Sequence, residues 1–184
     1  MLNKVWEFLQ YPVNQKLGLN NQERSILFFR LLALTVFFSI VLGLLISSIS
    51  LVFNFDFGNH AVDELFKTYS PAILFFLAVV VAPVIEELLF RAPLTLFKNP
   101  THFKHAYYIS IILFGTLHIS NFEALDGQYW AIPLLVSPQL SAGVFLGYTR
   151  TSLGLIWSIL LHAAHNLVLV GPVLIYLLLD IPLE

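Results

Sequence analysis

Long apolar runs separated by short polar breaks dominate this chain. The first covers residues 26–53, where only Arg30 and small hydroxyl residues interrupt the pattern. At about 1.5 Å per helical residue it exceeds a hydrocarbon layer of about 30 Å, so a helix here tilts or protrudes. The second run, 71–97, is apolar apart from Glu86, Glu87, Arg91 and Thr95. Residues 98–105 read as a basic loop. The third run, 106–122, is short and contains Phe114-Gly115-Thr116-Leu117-His118. The fourth, 129–148, holds Pro133 and Pro138, which predict a kink. Arg150 marks a short turn, and the fifth run, 152–169, contains His162-Ala163-Ala164-His165-Asn166. Gly171-Pro172 breaks it, and 173–179 is too short to cross a membrane alone. It reads as a continuation or a half-helix. Before all of these, Leu2, Val5, Trp6, Phe8, Leu9 and Val13 alternate with Asn3, Lys4, Glu7 and Gln10. That spacing, with Tyr11, predicts a short helix in the membrane interface, ended by Pro12. The expected fold is an all-α, polytopic transmembrane helical bundle of about five to six spans, with an interfacial segment over 1–25 and the bundle over 26–184.

Composition sharpens this picture. Hydrophobic residues make up 58% of the 184 and charged residues 11%, against roughly 25% charged in soluble domains. Such a chain cannot cover its surface with polar groups, so its partner is the lipid bilayer. A net charge of −2 gives no basis for binding nucleic acid, and without cysteine neither disulfides nor thiolate metal sites can form. The first apolar run is too long and starts too late for a cleavable signal, so it is expected to stay as a span. Under five spans, Lys4, Lys16, Arg24, Arg30, Arg91, Lys98, Lys104 and Arg150 fall on or near one side, and Lys67 on the other. Asp56, Asp63, Glu64, Glu123 and Asp126 occupy the opposite connections, and Asp180 and Glu184 the tail. This bias predicts a cytoplasmic N-terminus and an outward C-terminus.

Candidate chemistry sits inside the apolar runs. Ionisable groups at membrane depth cost a few kcal/mol or more, so they mark function by default. On a helix Glu87 and Arg91 share a face and can pair, while Glu86 is rotated away and stays available. The third run adds His118. The fifth adds His162 and Asn166 on one face, with His165 at its margin. Glu86, His118 and His162 lie at similar depths and can meet near mid-bilayer. A buried glutamate can take a proton from water, a histidine can orient that water or deliver a proton, and amide or imidazole donors can stabilise an oxyanion. The same glutamate and histidines also suit a divalent metal such as zinc, with one position left for water. The sequence does not choose between a metal and none.

Three motifs in order carry a resemblance. Glu86-Glu87-x-x-x-Arg91, Phe114-x-x-x-His118 and His162-x-x-x-Asn166 resemble the motifs of the CPBP intramembrane proteases, which include type II CaaX prenyl proteases and bacterial bacteriocin-immunity (Abi) proteins. The stretch from Leu146-Gly147-Tyr148 to Leu155 is similar to the linker before the third motif, and Ala92 stands where many members have glycine. The resemblance covers about 70–170. It implies an intramembrane endopeptidase in a bacterial cytoplasmic membrane, acting on a peptide or membrane-protein substrate. By the same resemblance Glu86 activates water with His118, His162 and Asn166 form the oxyanion site, and Glu87 and Arg91 support them. A metal, if bound, would lie on Glu86, His118 and His162.

Two other readings use the same residues: a non-enzymatic immunity or chaperone-like membrane protein, and a proton-coupled carrier, for which the expected inverted repeats are not visible. Bland roles are expected elsewhere. His60, His102 and His105 read as solvated loop residues, Tyr107, Tyr108, Tyr129 and Trp130 as interfacial anchors, and Trp157 as packing or lipid-facing.

Overall fold

Caps written in the sequence start the helices. The structure, a computed structural model, describes residues 1–55, 69–122 and 129–179. The acidic connection expected after residue 55, with His60 and Lys67, therefore lies outside the described residues, as do 123–128 and the tail. Helix α1 (Leu2–Gln10) is followed by an irregular stretch and then α2 (Asn21–Phe53). A reciprocal capping box opens α2: Glu23 N–H donates to Asn20 Oδ1 at 2.9 Å and Asn20 N–H to Glu23 Oε2 at 2.8 Å. Asn54 closes it in the left-handed conformation, φ 52°. Ser70-Pro71 opens α3 (Pro71–Phe76), which runs through a π-helical turn (Leu77–Val81) into α4 (Ala82–Phe90) and a 3-10 turn (Ala92–Leu96).

Asn99-Pro100 opens α5 (Pro100–Leu117). The basic loop expected up to residue 105 is thus a correction. Asn99 Oδ1 accepts the N–H groups of Thr101 (2.9 Å) and His102 (3.3 Å), so His102, Lys104 and His105 occupy the first turns of a helix. A 3-10 turn (His118–Asn121) follows, and later another (Tyr129–Ala131) leads into α6 (Ile132–Leu135) and α7 (Ser137–Ser152). Helix α8 (Leu155–Leu169) and α9 (Gly171–Leu178) complete the described chain. Two expected breaks are present: the fourth run bends by 41° ahead of Pro138, and the fifth by 51° at Gly171-Pro172. The turn expected at Arg150 is a correction: Arg150 lies in the last turn of α7, and the chain turns at Leu153-Gly154.

The protein is an all-helical membrane bundle. By length and composition α2 and the Pro71–Leu96 run can each cross a membrane, and among the described residues up to four spans result if each bent pair is one. The third of the five or six expected spans, α5, is not among these because polar residues occupy its first turns.

Helix α7 is the hub. It packs against α2, α5 and α8 and buries Ala142, Gly143, Phe145, Leu146, Gly147 and Tyr148. Small residues let neighbours close in. A Cβ on Gly147 would overlap the Tyr107 ring, and one on Gly143 would stand 3.3 Å from Arg91 Nη2. Tyr107 is fully buried in this contact, so its expected role as an interfacial anchor is corrected. Helix α1 is pinned to the same region. Phe8 meets Tyr107 and Tyr148 edge-on at 5.2 and 5.1 Å, and Tyr108 Oη donates to the Leu9 carbonyl at 2.6 Å. Trp157 packs against Phe28 at 5.6 Å. The outer faces stay apolar: α2 buries only Leu31, Thr35 and Ser39, leaving Phe29, Phe37 and Leu44 exposed for lipid.

Candidate active site

Two backbone irregularities prepare the centre. In the π-helical turn the Ala82 N–H reaches back five residues to the Leu77 carbonyl. The next bond in that register would run from residue 83 to Ala78, but Pro83 has no N–H. The Ala78 carbonyl is freed, and Asn166 Nδ2 donates to it at 2.9 Å. At the end of α5 the His118 N–H turns to Gly115 and Thr116 instead of Phe114. The Phe114 carbonyl therefore accepts from the His118 side chain, with Nδ1 at 2.8 Å. Because a carbonyl only accepts, Nδ1 carries the hydrogen, and Nε2 of the neutral ring is left as an acceptor.

The charged groups cluster between α4 and α8. Glu87 and Arg91 are both fully buried and paired, Nε to Oε1 at 3.7 Å, as their spacing predicts. His162 lies between the two glutamates: Nδ1 stands 3.2 Å from Glu87 Oε1, and Nε2 stands 3.7 Å from Glu86 Oε2. The second distance is that of an ion pair rather than a hydrogen bond. Among the described residues Glu86 Oε2 has no hydrogen-bond partner. A carboxylate only accepts, so His162 Nδ1 carries the hydrogen that faces Glu87.

The structure brings Glu86 and His162 into contact. It sets His118 and Asn166 beside them on two cavities. One, about 430 Å³, is lined by Glu86, His118, Asn121, Asn166 and apolar residues of α3 and α9. The other, about 300 Å³, is lined by His118, His162, His165, Asn166, Ser39 and Gln139. Both share His118, Asn121 and Asn166. Glu86, His118 and His162 do not form a three-ligand metal group, nor do any three His, Cys, Asp or Glu among the described residues.

Sequence reasoning named Phe114 only as part of a motif, and did not single out Ser158 or Ser39. The Ser158 hydroxyl donates to Glu87 Oε2, with the Leu146 carbonyl at 3.1 Å as a second acceptor. The Phe114 ring lies under the Arg91 guanidinium, 4.0 Å from Cζ, and meets His162 edge-on at 5.5 Å. Ser39 of α2 reaches His165. Of the two serines, only Ser158 left a signal: it lies four residues before His162 on the same helical face.

The fold and the buried charges define a helical membrane protein with ionisable groups gathered inside the bundle. The family described as type II CAAX prenyl endopeptidase Rce1-like matches residues 68–168, from just before α3 to the last turn of α8. The chain belongs to that family and is a CPBP-family intramembrane protease. No curated protein and no solved structure matches the chain.

Proposed function

We propose that this protease hydrolyses peptide bonds with water activated by Glu86 and His118, without a metal. Glu86 takes a proton from water, and the hydroxide formed attacks the carbonyl carbon of the peptide bond. The carbonyl π electrons move to oxygen, and the oxyanion receives hydrogen bonds from His162 Nε2–H and Asn166 Nδ2–H. Collapse of the tetrahedral intermediate expels the amine, which takes the proton held on Glu86. His118, its Nδ1–H tied to Phe114, offers Nε2 as an acceptor that orients the water. Glu87 holds His162 by Nδ1, and Arg91 balances Glu87. The observation that carries this reading is the unpartnered Glu86 oxygen 3.7 Å from an imidazole that a second carboxylate already fixes.

The family's description names prenylated CAAX chains, so a fluorogenic prenylated CAAX peptide is the first probe, followed by membrane-protein tails. In proteoliposomes, Glu86→Gln is expected to lower kcat by about 10²- to 10⁴-fold, the range for losing a general base. Undiminished cleavage by that variant would remove Glu86 from the mechanism. Cleavage is expected to persist in excess EDTA or 1,10-phenanthroline. Its loss on chelation and return with zinc would replace the metal-free mechanism.

A further inference from the structure

Between α2 and the centre runs a line of hydrogen bonds that the hydrolytic residues leave unexplained. It begins at the Ala78 carbonyl, which only accepts, so the Asn166 atom 2.9 Å away is the amide nitrogen. Asn166 Oδ1 then faces His165, with Nδ1 at 3.3 Å. An amide oxygen also only accepts, so His165 Nδ1 carries the hydrogen. In the neutral ring Nε2 is left as an acceptor, and Ser39 Oγ, 3.0 Å away, donates to it. Each role follows from the one before. Ser39 and His165 are buried, at 7% and 9% exposure. Ser39 belongs to α2, outside the matched residues 68–168, and His165 is in none of the three motifs.

We propose that Ser39 and His165 are positioning residues that orient the Asn166 carboxamide. One Nδ2 hydrogen is spent on Ala78, and the other is then held toward the cavities that Asn166 lines. Without the Ser39 hydroxyl, the Nδ1–H form of the His165 ring loses the bond at Nε2 that favours it over the Nε2–H form, and only the Asn166 contact still holds it. That alternative points a lone pair at Asn166 Oδ1, and the amide is released from its fixed orientation. The inference rests on the proposed role of Asn166 as an oxyanion donor, and the tautomer itself can be read without any substrate.

Two measurements test it. Ring ¹⁵N shifts of ¹⁵N-histidine-labelled protein report each tautomer, and loss of one signal in His165→Asn identifies His165. The wild type and Ser39→Thr are expected to show the Nδ1–H form, and Ser39→Val, equal in shape to threonine, to lose it. In the peptide assay Ser39→Val should lower kcat about tenfold with KM within twofold, short of the roughly 10²-fold or more for losing an oxyanion donor outright. Ser39→Thr should restore it. His165→Asn keeps a donor at the δ position but has no ε nitrogen, so in that background Ser39→Val should have no further effect. An unchanged His165 signal in Ser39→Val overturns the proposal, and so does a kcat loss that persists undiminished in the His165→Asn background. Full activity of Glu86→Gln strikes the hydrolytic reading alone. Loss of activity in Glu86→Gln with wild-type kcat in Ser39→Val strikes this inference alone.

Discussion

The Arg91 guanidinium is held by charge and shape more than by hydrogen bonds. It is fully buried, and among the described residues none of its side-chain nitrogens has a hydrogen-bond partner. What holds it is the Glu87 carboxylate at 3.7 Å on one side and the Phe114 ring at 4.0 Å on the other. Removing the cation leaves Glu87 buried with uncompensated charge, so Arg91→Ala should cost about 3–5 kcal/mol of stability. Thermal unfolding in detergent measures this, and a melting temperature equal to wild type would mean Glu87 carries no charge. Arg91→Lys should recover little, because an ammonium on a flexible stem does not stack on Phe114 as a planar guanidinium does. The pairing of residues 87 and 91 was legible in the sequence because four-residue spacing is a local rule. The Phe114 contact was not, because it joins α4 to α5 and no spacing encodes a meeting of two helices. For His162 the position was legible but not its place between two carboxylates, which depends on how α8 is rotated against α4.

At the scale of elements, glycine and proline set the geometry around the centre. Gly147 brings α7 against the buried Tyr107 ring, whereas a Cβ on Gly43, in α2, would meet nothing within 4 Å. Gly147→Ala should therefore cost about 1–3 kcal/mol through overpacking, while Gly43→Ala should stay within about 0.5 kcal/mol of wild type. Equal unfolding midpoints for the two variants would show that the α5–α7 approach is not set by that contact. Span positions and breaks were readable because apolar length and proline act locally. The start of α5 was misread because polar side chains hid a cap: Asn99 satisfies free N–H groups whatever the polarity of the turn that follows. The π-helical turn was invisible as well. Pro83 announces a missing donor, but which carbonyl it frees depends on the register the helix takes.

For the molecule as a whole, one end is tied together and the other carries the cavity. Asn14 Nδ2 donates to the Phe97 carbonyl at 3.4 Å, Leu17 N–H to the Ser152 carbonyl at 2.9 Å, and Arg150 Nε to the Arg91 carbonyl at 3.0 Å. These bonds gather the N-terminal segment, the start of α5 and the end of α7, and with them Lys4, Lys16, Lys98, Lys104 and Arg150. The cavity beside Glu86 is lined instead by Leu74, Leu117, Asn121 and Leu174, from the helix halves that point away from that end. If cations favour the cytoplasmic side, the Glu86 cavity faces away from the cytoplasm, and substrate reaches it from the outer half of the bilayer. The absence of native cysteine makes this direct to measure. In intact cells a membrane-impermeant maleimide should label Tyr69→Cys, at the cavity end, and should label Lys4→Cys and Lys98→Cys only after permeabilisation. The reverse pattern would turn the cavity toward the cytoplasm and make cytoplasmic chain ends its substrates. Labelling of Lys4→Cys and Lys98→Cys from opposite sides would contradict the hydrogen bonds that join those segments.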